Sequence, residues 1–179
     1  MKKIILIFFV ACLGINSYSQ IYMTKNGFIG FYSQTAFEDI KAENNQVYAV
    51  IDIAKKNIAF TLLIKGFLFP KELMQEHFNE NYIESNKYPK ASFVGNFTGD
   101  ADLNKPGIYT ISVKGRLSLH NVSQIVETTG TLEIKDGKVT GQSQFKIKPE
   151  NFNIQIPAAV RDKIAKEILV IVKAECTSK

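Results

Sequence analysis

Polar and apolar residues alternate almost without a break over residues 108–119. Tyr109, Ile111, Val113, Leu117 and Leu119 share one face with Gly115, while Thr110, Ser112, Lys114, Arg116 and Ser118 share the other. A period of two belongs to a strand with one apolar side and one wet side. The pattern returns along most of the chain. Residues 46–53 and 57–64 predict a hairpin, with Val47, Ala49, Ile51 and Ile53 on the inward face of one arm. Ile58, Phe60, Leu62 and Ile64 face inward on the other. Residues 28–33 predict a short first strand, and residues 91–98 a strand with Phe93 and Phe97 on one side. The long strand reverses at His120 and Asn121, and its return arm keeps Val122, Val126, Gly130, Leu132 and Ile134 on one face. Asp136-Gly137 suits a hairpin turn whose central positions need positive φ. Val139, Gly141, Ser143, Phe145 and Ile147 continue the inward face, and residues 168–176 predict the last strand.

Two segments break the alternation. After Pro70, residues 71–81 have helical spacing, with Leu73 and His77, and Met74 and Phe78, four apart. Proline fits a first helical turn, and Glu72 and Glu76 suit its positive end. Pro89 ends the segment, because the residue before a proline is driven to extended backbone. Residues 158–165 predict a second short helix, with Val160 and Ile164 one turn apart. The expected class is all-β: an antiparallel eight-stranded β-barrel with one or two short helices. Closure removes the exposed edges that such a sheet otherwise carries. A two-sheet sandwich is the alternative architecture.

The first residues are read as an address. Lys2 and Lys3 precede an apolar run over residues 4–13, too short to span a bilayer. Ser17-Tyr18-Ser19 presents small residues where a signal peptidase reads, so residues 1–19 are expected to be a signal peptide. Lipoprotein processing at Cys12 is the weaker reading, because Phe9 stands where leucine is usual. The expected product, residues 20–179, is one domain that is periplasmic or secreted. Its net charge falls from +5 to +3 as Lys2 and Lys3 leave. That excess is small and scattered, which argues against nucleic acid as a partner. No further apolar run approaches a transmembrane span. Cys176 alone is left among the cysteines, so no internal disulfide forms, and its apolar strand face points to a buried small hydrophobe.

An eight-stranded barrel stands at a size threshold: side chains fill it, or it holds one slender ligand. Gly95, Gly115, Gly130 and Gly141 fall on the inward face amid Phe60, Phe93, Phe97, Tyr109 and Phe145. Glycines remove lumen volume, and they also let strands bend. The four together point to a partly empty aromatic lumen. The expected wall is Phe60, Leu62, Phe93, Phe97, Tyr109, Ile111, Val113, Leu117, Leu132 and Phe145, with Met74 and Phe78 on a helix lying over the opening. So apolar a list suits a long hydrocarbon. Burial contributes roughly 0.8 kcal/mol per CH₂, so a five-carbon isoprenoid unit contributes on the order of 3–4 kcal/mol gross.

Catalysis finds no constellation. His77 and His120 are the only histidines, with only Glu76 and Glu80 close in sequence to either. No phosphate loop, nucleophile elbow or metal-ligand spacing appears, so neither cofactor nor metal is expected. Three functions remain open: a lipid carrier or buffer, a non-enzymatic interaction or scaffolding barrel with a filled core, and, least favoured, an enzyme acting on a lumenal lipid.

Residues 73–93 carry a resemblance to a known family. The run Glu84-Ser85-Asn86-Lys87-Tyr88-Pro89-Lys90-Ala91-Ser92-Phe93, following a helix and entering a strand, resembles the YceI-like family, particularly its Bacteroidetes members. Val113-Lys114-Gly115-Arg116-Leu117-Ser118-Leu119-His120 is similar to the family's strand and turn, with Asn121 where glycine is usual. Phe152-Asn153-Ile154, Ile156-Pro157 and Lys163-Ile164-Ala165 are similar to its closing segment. The resemblance implies a lipocalin-like barrel in the periplasm or outside the cell. It also implies a polyisoprenoid-type lipid in the lumen, and a homodimer.

Overall fold

A computed structural model describes residues 21–102 and 104–179. The signal-peptide reading of residues 1–19 lies outside them. Eight antiparallel strands follow one another around a closed barrel, each paired with its sequence neighbours, and the first closes on the last. They are β1 (Ile21–Gln34), β2 (Asp39–Asp52), β3 (Asn57–Leu63), β4 (Lys90–Thr98), β5 (Gly107–Leu119), β6 (Val122–Lys135), β7 (Lys138–Ile147) and β8 (Ile168–Ser178). Closure runs through pairs such as Phe28–Lys173 and Tyr32–Leu169. The barrel expected from the alternation is therefore present, and the sandwich is not.

β1 and β2 are longer than their apolar patterns suggest. Register shifts between Thr24 and Ile29 break the period of two in β1. The first half of β2 turns Ala42 and Asn44 inward, and a buried asparagine breaks the apolar signal. The helical segment forms a true α-helix, α1, only over Glu72–His77, and relaxes into a wider π-type turn over Phe78–Tyr82. The second predicted helix is a 3₁₀-helix, Ala158–Lys163. A further 3₁₀-helix, Pro149–Phe152, leaves β7.

Connection lengths give the barrel two unlike ends. The β2–β3, β4–β5 and β6–β7 turns meet at one end, together with the start of β1 and the end of β8. There Ile53, Phe97, Ile134, Val139, Ala174 and Cys176 pack into a buried floor. The amide of Phe97 donates to the carbonyl of Lys56 at 2.8 Å, tying the β2–β3 turn over that floor. The long connections, residues 64–89 and 148–167, lie at the other end. They build a second cluster from Ile64, Phe67, Ile83, Phe152 and Ile154 with Ala42 and Val47 of β2. Burial of both clusters removes apolar surface from water, the dominant favourable term in folding.

Candidate functional site

A cavity of about 550 Å³ draws its wall from both clusters. This lies within the range of roughly 300–1,000 Å³ usual for small-ligand sites. The alternation along each strand explains the wall: every second residue of β3, β5 and β7 points inward, and apart from Ser143 those residues are apolar or glycine. Phe60 and Leu62 of β3, Phe93 of β4, and Ile111, Val113 and Leu117 of β5 line it. Leu132 of β6 and Phe145 of β7 complete this set, and Met74 and Phe78 reach it from the segment over the mouth. Two inward residues expected in the wall stand elsewhere. Phe97 is 2% exposed and belongs to the packed floor. Tyr109 packs against the same floor, and its hydroxyl donates to the carbonyl of Lys105 at 2.7 Å. Both sit where the short turns have already closed the barrel, so their inward direction meets side chains instead of space.

Of the four inward glycines, Gly141 alone lines the cavity. A Cβ there meets only side-chain ends, Ile51 Cδ1 at 3.3 Å and Leu132 Cδ2 at 3.6 Å. Gly95 and Gly115 face each other across β4 and β5. A Cβ on Gly115 falls 2.7 Å from Gly95 Cα and runs into the Phe93 ring. These two therefore serve close strand approach, with an aromatic ring covering the bare backbone.

Part of the site carries no periodic signal. Phe31, Phe67, Phe69 and Phe78 form one aromatic cluster beneath α1, with ring centroids 5.0–5.9 Å apart. Phe67 and Phe69 flank Leu68 just before Pro70, in a stretch too short to show strand or helix period. The charged groups of the lining and His77 collect at this end: Glu38, Lys71 and Lys163, with Ser33 beside them. Lys71 Nζ lies 3.3 Å from Glu38 Oε1, joining the start of α1 to the β1–β2 turn. The amide of Ala165 donates to Ser33 Oγ at 2.8 Å, fixing the 148–167 connection to β1.

His120 lies apart from the cavity, 8% exposed, in the β5–β6 turn. Its Nδ1 donates to the Phe152 carbonyl at 2.9 Å, its Nε2 is 3.2 Å from Glu84 Oε2, and Tyr88 packs edge-on against the ring. The ring thus joins three connecting segments. Among the described residues, no group of three or more His, Cys, Asp or Glu side chains is arranged to hold a metal. Cys176 is buried in the floor, and desolvation first, then the nearby Glu175 charge, push its thiol up to about 11.

Comparison with known proteins decides the family. A family model described as YceI-like domain matches residues 18–176. The chain belongs to the YceI-like family. A polyisoprenoid binding domain from Saccharophagus degradans, implicated in plant cell wall breakdown, shares the fold with a TM-score of 0.75 at 12% identity. The match covers 89% of this chain and 99% of that one. Burkholderia cenocepacia BcnA superposes with a TM-score of 0.72 at 16% identity, over 84% of this chain and 96% of its own. The Campylobacter jejuni YCEI protein gives 0.56 at 17% identity, over 100% and 99% of the two chains. No curated protein matches the sequence. The YceI-like chain has no helix, among its described residues, long and apolar enough to cross a membrane.

Proposed function

We propose that this protein holds one long apolar lipid of the polyisoprenoid class in its barrel and acts as a carrier or buffer for it in the cell envelope, after export. The observation that carries this reading is the cavity, walled by Phe60, Phe93, Ile111, Val113 and Leu132 and closed at one end by the Phe97 floor. Family membership and the shared fold of a polyisoprenoid binding domain support it.

The binding mechanism follows from transfer energetics. A hydrocarbon tail leaves water for a dry wall, at roughly 25 cal/mol per Å² of apolar surface buried. Several isoprenoid units offset the association cost without any ion pair. The floor limits tail length. The polar end of the lipid stays at the mouth, where Ser33, Glu38, Lys71, His77 and Lys163 supply the polar lining. Specificity then rests on bore and depth more than on directional bonds.

Native mass spectrometry on the protein, purified without detergent, tests the reading. A copurifying isoprenoid, or uptake of one from a mixed-lipid extract, is expected. Failure to take up any hydrocarbon-tailed lipid from that extract removes the proposal.

A further inference from the structure

Two of the barrel's ladders stop well short of the mouth, β2–β3 and β6–β7, and they are closed in different ways. β2 pairs with β3 only from Tyr48 to Asp52. The unpaired first half of β2 is covered by the segment leaving β3. The Glu43 and Leu68 backbones exchange hydrogen bonds at 3.1 and 2.8 Å, and Asn44 Nδ2 donates to the Leu63 carbonyl at 3.0 Å. That seam is sewn shut by main chain.

The seam between β6 and β7 is not. Their ladder runs from Lys135–Lys138 to Gly130–Ser143 and stops. Residues 122–129 of β6 stay paired to β5, and residues 144–147 of β7 stay paired to β8, so the two strands part company. At the floor side of the gap Thr128 Oγ1 donates to the Gln144 carbonyl at 3.0 Å, and Ser143 Oγ to the Thr129 carbonyl at 2.8 Å. At the mouth side Gln124 Nε2 donates to the Asn151 carbonyl at 2.9 Å. Side chains replace main chain at both ends. Even the charges turn away: continued register would set Glu127 against Lys146, but Glu127 pairs with Lys114 on β5 and Lys146 with Glu167.

The inward residues on the two lips, Val126 and Thr128 on one and Phe145 and Ile147 on the other, all line the cavity. Outside, Ile125 is 56% exposed. The mouth, by contrast, lies under α1 and the cluster of Phe31, Phe67, Phe69 and Phe78. A tail threaded end-first passes along these four packed rings, which line the cavity. Spreading two strands held by these side-chain hydrogen bonds, with Thr128 Oγ1 and Ser143 Oγ also 3.4 Å apart, breaks no pair of the β6–β7 ladder.

From this we propose that the β6–β7 seam is a lateral portal, through which the hydrocarbon tail of the lipid slides sideways into the barrel while its polar end stays at the mouth. The proposal rests on the lipid-carrier reading above and adds the route. Loading is then a gated step limited by strand separation.

Two engineered cysteine pairs test it, one bridging the seam (Glu127→Cys with Lys146→Cys) and one bridging the mouth through exposed residues outside the lining (Phe37→Cys with Glu72→Cys). The native Cys176 is buried, so each pair is bridged selectively by a bis-maleimide. The probe is a fluorescent geranylgeranyl alcohol, followed by stopped-flow mixing, and the unbridged form of each variant is its own folding control. Bridging the seam is expected to slow uptake by about tenfold or more and bridging the mouth to leave it near the unbridged rate. Slowing by the mouth bridge alone, or equally by both, overturns the portal. If the wild-type protein itself takes up no probe, the carrier reading fails first and the portal falls with it.

Discussion

His120 and Glu84 meet across 3.2 Å, and both hold backbones with positive φ, 50° and 47°. Few L-residues accept that conformation, which costs roughly 1–2 kcal/mol. The histidine is kept there by what its ring does: it pins the 3₁₀-helix after β7 and the segment before β4 onto the β5–β6 turn. Replacing it separates backbone from side chain. His120→Gly relieves the backbone and loses the ring's two polar contacts and its packing on Tyr88, so we expect a net loss of about 1–3 kcal/mol by urea denaturation. His120→Ala is expected to lose about 1 kcal/mol more, because alanine keeps the conformational cost. Equal stability of the two variants would mean that the turn relaxes.

Asn44 is fully buried, donates to the Leu63 carbonyl and accepts from the Gln46 amide at 2.8 Å through Oδ1. Its removal leaves a carbonyl and an amide inside the β2 seam. Asn44→Leu is expected to destabilise by about 2–4 kcal/mol, since buried polar groups left without partners retain their full desolvation cost. Hydrogen exchange is expected to rise first at Leu68, whose amide bonds Glu43.

Gly141 and Gly115 make opposite forecasts from the same substitution. Gly141→Val puts its methyls into the cavity beside the flexible ends of Ile51 and Leu132. We expect a thermal midpoint near wild type and a clear loss of lipid capacity, read by native mass spectrometry. Gly115→Val drives a side chain into Gly95 and Phe93, so misfolding or a loss of about 3 kcal/mol or more is expected whether or not lipid is present.

The Cys176 thiol is held up to about 11, against an ordinary value of 9.0, chiefly by burial. The folded state therefore keeps a proton that the unfolded chain releases. The contribution of Cys176 to stability is intact below about pH 9 and is lost as pH climbs towards 11. Cys176→Ala is expected to flatten that part of the pH–stability curve. Iodoacetamide is expected to label the native thiol at pH 8 only after denaturant is added.

How much of this was legible in the chain depends on which signal carried it. β5 announced itself, because one of its faces is apolar at nearly every inward position and the other is polar throughout. The first half of β2 stayed hidden behind Asn44, a polar residue buried by hydrogen bonding and invisible to hydropathy. The pattern of β1 is shorter than the strand because its register shifts break the period that identifies one. Direction was read well and depth was not: Phe97 and Tyr109 do point inward, but the turns that close the floor lie far from them in sequence. The mouth cluster drew Phe67 and Phe69 from a non-periodic stretch. The β6–β7 seam was beyond reach altogether, since Val126, Thr128, Phe145 and Ile147 alternate as they would in a fully paired ladder. Periodicity reports which face a residue takes, never whether its neighbour strand is bonded.

The start of β1 and the residue after β8 meet at the floor, where the Lys179 amide donates to the Ile21 carbonyl at 3.1 Å. A lipid tether, an affinity handle or a surface linkage carried at Ile21 or Lys179 starts from the sealed side of the vessel. Such a protein can be moored by its base and still be filled and emptied.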